Sequence, residues 1–121
     1  MVLFDANMIL RYLMNDNESM AEQAERYLNQ YDVWVTTEVI AEVVYVLKKV
    51  YAADRDTIAD STHDFLNLVD CHEHDVVDMA LQTYKSYNLD FVDCMLYAYN
   101  CIDGAQIATF DKKLLKLIER Q

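Results

Sequence analysis

The sequence predicts an α/β fold of three layers, with a parallel sheet of four or five strands lying between helices. Three observations carry that expectation. Short apolar runs alternate with segments of helical periodicity, in the order β-α-α-β-α-α-β-α-α-β-α. The first run, Met1-Val2-Leu3-Phe4, breaks at Asp5-Ala6-Asn7 into the helix-like Met8-Ile9-Leu10-Arg11-Tyr12-Leu13, the usual opening of a parallel unit. A late run, Gln106-Ile107-Ala108-Thr109, breaks in the same way at Asp111.

With no Pro and a single Gly, the turns must fall on Asn and Asp. Met14-Asn15-Asp16-Asn17 is the first such break. A helix over Glu18 to Tyr31 follows, with Met20, Ala21, Ala24, Tyr27 and Leu28 on its apolar side. Val33-Trp34-Val35 reads as the second strand. Thr36-Thr37 opens a long helix through about Val50 that is apolar over much of its circumference. Asp54 starts a helix to Leu68 or Val69, and Val69 to His74 reads as a short third strand. The next helix runs from Asp75 to about Tyr87. Asn88-Leu89-Asp90 then turns the chain into a helix from Phe91 to about Ile102, ended by Gly104, the residue best able to turn left-handed there. Gln106–Thr109 is the fourth strand, and Asp111 begins the last helix, to Glu119.

A chain of 121 residues, 54% apolar and 26% charged, is expected to be one globular domain. No apolar run is long enough for a membrane span, and the start lacks the basic region and cleavage site of a signal peptide, so a cytoplasmic location is expected. Cys71, Cys94 and Cys101 fit neither a zinc site nor a disulfide framework and read as free thiols. The net charge of −11 argues against plain electrostatic binding of nucleic acid. It suits a basic protein partner, or divalent cations that offset part of it.

Five acids draw the eye because they stand at element junctions or beside apolar neighbours. Asp5 and Asp111 follow strands, and ligands of parallel sheets bind beyond the carboxyl ends of strands. Asp90 and Asp93 flank a helix start, three apart. Each of these has a plainer reading as a helix cap, and Asp90 to Asp93 even resembles a capping box. Glu42 sits among Ala41, Val43, Val44 and Val46, which suggests a carboxylate on or near a buried surface, where an unpaired charge is costly. Acids gathered at one sheet edge repel unless a cation holds them. Hard oxygen donors select Mg²⁺ or Mn²⁺, and such a cage can activate water for attack on a phosphodiester.

Asp5-Ala6-Asn7-Met8-Ile9-Leu10-Arg11-Tyr12-Leu13, Ala41-Glu42-Val43-Val44-Tyr45-Val46-Leu47, Phe91-Val92-Asp93 and Thr109-Phe110-Asp111-Lys112 together resemble PIN-domain nucleases. The small size resembles the VapC-type toxins of toxin–antitoxin pairs. The resemblance covers nearly the whole chain and implies a three-layer PIN-like α/β/α domain over residues 1–121 with Mg²⁺- or Mn²⁺-dependent endoribonuclease activity. It implies that Asp5, Glu42, Asp93 and Asp111 bind metal and act in catalysis. Asn7 and Thr109 match supporting polar positions, and Asp90 one where some members carry an acid. An RNA substrate, a homodimer and a basic antitoxin-like protein inhibitor covering the acidic pocket are further implications. The chain departs from the family in ending after its last helix, where many members add an edge strand.

Other features admit two readings. Lys112, Lys113, Lys116 and Arg120 are either a strip that positions phosphates, Lys112 and Lys113 above all, or solubilising charge, with the last two favourable toward a helix C-terminus. His72 and His74 would share one face of a strand, a spacing able to bind metal, though few other ligands lie near in sequence. Nine tyrosines could stack on bases, but those within helices read as packing. The rival functions are a non-toxin RNA-processing nuclease, an acidic-pocket phosphotransfer domain, and a non-enzymatic module that binds a partner. The phosphotransfer reading wants a Lys where the late strand ends instead in Thr109-Phe110-Asp111.

Overall fold

In the computed structural model, which describes residues 1–120, the sheet begins with Val2–Leu3 (β1) paired in parallel with Val33–Trp34 (β2), Val2 opposite Val33 and Leu3 opposite Trp34. A third parallel segment joins at one residue: Asp70 bridges Trp34, its N–H donating to the Val33 carbonyl at 2.9 Å and its carbonyl accepting from Val35 N–H at 2.9 Å. Around this short sheet stand Ala6–Met14 (α1), Glu18–Gln30 (α2), Thr37–Lys49 (α3), Arg55–Leu66 (α4), His74–Ser86 (α5), Phe91–Asp103 (α6) and Lys112–Glu119 (α7). The fold is α/β with helices dominant.

Local chemistry sets the helix limits. The side chains of Asp5, Asn17, Thr36, Asp54 and Asp111 each accept from a backbone N–H three residues on, satisfying an amide that the first turn leaves orphaned. At the other end, Asn15 and Gly104 take left-handed conformations, φ 50° and 68°, and stop α1 and α6.

The sheet is narrower than the sequence suggests. Of the expected third strand, Val69 to His74, only the Asp70 bridge forms, and α5 already begins at His74. The expected fourth strand, Gln106–Thr109, is not a strand at all among the described residues. The chain leaving α6 is tied back to that helix instead: Ala105 N–H donates to the Tyr99 carbonyl, and the Asn100 amide donates to the Ala105 carbonyl. Ile107 and Thr109 are half-buried while Gln106 and Ala108 are exposed, so no face of the segment is fully buried to fix a register against β1.

One contiguous core lies beneath these elements. Phe4 stacks on Phe65 with ring centroids 6.4 Å apart, and Tyr12 and Tyr27 pack against this pair from α1 and α2. Truncating the fully buried Phe65 to Ala would cost about 3–5 kcal/mol, through lost burial plus the cavity left behind. Helix α5 packs along α4 and α6, and α6 touches α3 and α7. Those last contacts bring the candidate acids toward one another.

Candidate active site

Helix α6 is the element on which the acids converge. Asp90 occupies its N-cap position, yet the carboxylate makes no capping hydrogen bond. The capping box suggested by the sequence therefore does not form, and Asp90 is exposed and free for another role. Asp93 lies in the first turn and is half-buried. Burial, then the charges of Asp111 and Asp90, push its carboxyl above the usual aspartate range. Asp111 reaches this neighbourhood from a different element, as the N-cap of α7, where its carboxylate accepts from Leu114 N–H at 2.9 Å. Thr109 has a definable part: its hydroxyl oxygen accepts from the Asp111 N–H at 3.0 Å and so fixes the backbone that carries the acid.

Asp5 and Glu42 are less engaged. The Asp5 carboxylate accepts from Met8 N–H at 2.9 Å, so α1 fully explains it as a cap, and the neighbouring Asn7 is exposed. Glu42 is also exposed, which corrects the expectation of a buried surface around it. Helix α3 buries Ile40, Val43, Val44 and Leu47, and the side chains at 42 and 45 fall on the turn's outer side. Helices α3 and α6 run antiparallel: Thr37 and Tyr99 meet at one end through shared bonds to Glu73, and Lys48 and Lys49 face the Asp90–Val92 turn at the other. Glu42 thus lies toward the middle of α3, whereas Asp93 lies in the first turn of α6, nearer the Lys48–Lys49 end of α3.

The donor chemistry suits a hard divalent cation. Of the four expected ligands, Asp93 and Asp111 are within electrostatic reach of each other, with Asp90 nearby, and such an ion would relieve their repulsion. The spacing is looser than a finished cage: among the described residues no group of three or more His, Cys, Asp or Glu side chains is arranged to hold a metal ion. The His72–His74 pair does not make one either, since His72 packs on the Trp34 ring at 4.7 Å and His74 opens α5. The cysteines are free; Cys94 is fully buried with its thiol pushed up to about 12, and Cys101 is only half-buried.

Arg55 was not singled out by the sequence, and it positions the site. From the first turn of α4 its guanidinium donates to the carbonyls of Tyr84 and Leu89 and lies over the Tyr84 ring, 3.7 Å from the centroid. It thereby ties down the turn that ends α5 and starts α6, immediately before Asp90. A cation at a helix N-terminus opposes the helix dipole, and that misfit was the available signal. The hydroxyl of buried Tyr84 has no hydrogen-bond partner among the described residues.

The chain matches the PIN domain over residues 2–119. No curated protein and no solved structure matches it. PIN domains are generally nucleases and typically use divalent metal ions. The match spans all seven helices and every candidate acid, so the chain belongs to the PIN-domain family.

Proposed function

We infer that this protein is a Mg²⁺- or Mn²⁺-dependent endoribonuclease, and that it acts as the VapC-type toxin of a toxin–antitoxin pair, as a homodimer. The observation that carries the nuclease reading is Asp93: a half-buried carboxylate held beside Asp111 and Asp90, in a chain of the PIN family. Asp5, Glu42, Asp93 and Asp111 form the metal-binding set in this reading, with Asn7, Asp90 and Thr109 in support. A bound divalent cation would acidify water and neutralise charge developing at the scissile phosphate. The protein's own part is positional. Arg55 fixes the turn before Asp90, Thr109 fixes the backbone of Asp111, and α6 carries Asp93 within electrostatic reach of both.

The inhibitor in this reading is a basic segment of an antitoxin. In a chain with a net charge of −11, an Arg placed among Asp5, Glu42 and Asp93 would form bidentate bonds and compete with the metal.

Melting curves test the metal site without knowledge of the RNA. A cation that binds only the folded protein adds about 2.7 kcal/mol at a concentration 100 times its dissociation constant. Asp93→Asn removes a repelling charge, so in EDTA it should melt above wild type. It also removes a ligand, so its gain from Mn²⁺ should be the smaller. A variant that melts below wild type in EDTA and gains equally from Mn²⁺ would reduce Asp93 to a helix-start residue. RNA cleavage that persists in EDTA, with metal carry-over excluded, would remove the mechanism.

A further inference from the structure

The chain carries ten cations against 21 acids, yet half of those cations flank the candidate site without an acidic partner. Among the described residues the ion pairs involving Lys or Arg are Arg11–Asp16 and Lys85–Asp60. Lys48, Lys49, Lys113, Lys116 and Arg120 form none. They line two grooves on successive stretches of the chain from Tyr87 to Val92. A groove of about 350 Å³ lies between Asp90–Val92 and α3, with Lys48, Lys49 and Tyr45 on its lining. A second, of about 190 Å³, lies between Tyr87–Leu89 and α7, with Lys113, Lys116 and Arg120 on its lining. Asp90 lines the first groove, with Asp93 one turn further along α6 and Asp111 half a turn before Lys113.

Helix electrostatics explains only part of this. Lys48, Lys49 and Lys116 lie in last turns, where the dipole favours cations. Lys113 lies in a first turn, where the dipole opposes it. Each groove also carries one tyrosine open to solvent, Tyr45 at 61% and Tyr87 at 42%, and neither stacks on another ring of the protein. Cations spaced along a groove with an exposed aromatic ring are what a single-stranded nucleic acid requires: phosphate contacts, and a surface on which an unpaired base can stack. The acids near the grooves would repel phosphate unless a cation is bound there, so a strand held in both grooves would cross them only with that cation in place.

We propose that the two grooves form one track, in which a single-stranded RNA contacts Lys113, Lys116, Arg120 and Tyr87 on one side of the scissile phosphate and Lys48, Lys49 and Tyr45 on the other. The track rests on the nuclease reading for its direction across the acids, but its cations can be tested without cleavage. The probe is a fluorescein-labelled single-stranded RNA of mixed sequence, followed by anisotropy over a salt series at a fixed low concentration of Ca²⁺ that offsets the acids, with the full chain carrying Asp93→Asn so that the probe stays intact. Five phosphate contacts predict a slope of log affinity against log salt near −3.5, at roughly 0.7 for each contact with a single strand. Lys48→Ala with Lys49→Ala should reduce that slope by about 1.4, and Lys113→Ala with Lys116→Ala and Arg120→Ala by about 2.1. Arg26→Ala, outside the track, controls for the change in net charge and should leave the slope alone.

A duplex of the same sequence should bind more weakly, because its bases are not free to stack on Tyr45 or Tyr87. Parent protein that does not bind at low salt, a slope unchanged in both groove variants, a loss confined to one groove, or equal affinity for the duplex overturns the track. Cleavage by the wild-type protein in Mn²⁺ separates the two ideas. If wild type and both groove variants cleave the strand at equal rates, the track is wrong and the nuclease reading stands. If nothing is cleaved while the slopes fall as stated, the track stands and the nuclease reading fails.

Discussion

Two helix starts in this protein carry an Asp at the same position and use it differently. At the start of α1 the Asp5 carboxylate is spent on the Met8 amide, and local structure accounts for it completely. At the start of α6 the Asp90 carboxylate bonds to no backbone amide, and one turn on Asp93 is half-buried beside two other acids. An acid at a helix start is by itself evidence of a cap and nothing more. An acid that the helix does not use, gathered with others at an energetic cost, needs a different cause. Helix α6 is therefore where the case for a site begins, and Asp5 joins it through the family rather than through any contact.

The largest expected effect is on activity. Asp93→Asn should lower RNA cleavage about 100-fold or more, at or above what loss of a supporting group costs at a metal site. Asp5→Asn sharpens the comparison, because Asn caps as well as Asp. Stability should hold while activity falls, and full activity in that variant would leave Asp5 a cap alone. Next in size is Arg55→Ala, which removes two hydrogen bonds from a charged donor and the contact with the Tyr84 ring. Chemical denaturation should show a loss of about 2–3 kcal/mol. Arg55→Lys should restore less than half of it, since an ammonium cannot reproduce the fork. Recovery to wild-type stability would mean that charge alone holds the turn.

Smaller again is the direct contest between the two starts. Asp5→Ala should cost about 1 kcal/mol, the usual value of an N-cap bond. Asp90→Ala should stay within about 0.5 kcal/mol, as surface changes without such a bond do. Equal losses would break the comparison.

The smallest effect is a control at the entry to β2, where two exposed acids pair without serving any helix. Asp32 is held below the usual range by hydrogen bonds from Asp70 and Trp34, and Asp70 is pushed above it by Asp32. A carboxyl raised in the folded state contributes stability at low pH that is lost as pH rises through its folded value. One that is lowered contributes stability at high pH that is lost as pH falls through its own. The pair is thus best near the ordinary aspartate range, where one proton is shared. Asp70→Asn keeps a donor for Asp32 at every pH, so it should melt slightly above wild type at neutral pH. That margin should close as pH falls through Asp70's raised value. A margin independent of pH would show that the two carboxyls do not share a proton.

Much of the fold was legible because its signals are local. Each helix was readable from a 3.6-residue apolar period, and all but α5 and α6 also from a side-chain cap three residues before the amide it serves, as with Thr36 and Val39 or Asp54 and Thr57. Strands were read less well. Gln106-Ile107-Ala108-Thr109 has strand-like composition, but a strand exists only where a partner edge is met, and this segment is tied to the end of α6. Glu42 was misjudged for a related reason: apolar neighbours in sequence say that a helix is buried somewhere, and α3 still turns one side to solvent.

The sequence by itself determined the seven helices of the described residues, the side-chain caps of all but α5 and α6, and the identity of the acids, since each depends on residues within a turn or two of one another. Only the tertiary structure decided how wide the sheet is, that Asp93 comes within electrostatic reach of Asp111 while Asp5 stays with its helix, and that Arg55 reaches the carbonyl before Asp90. It alone placed Lys48 and Lys49 against Asp90–Val92 and Lys113, Lys116 and Arg120 against Tyr87–Leu89. Those outcomes join residues tens of positions apart, and no local propensity encodes such a pairing; it follows from how the apolar faces of α3, α5, α6 and α7 share one core.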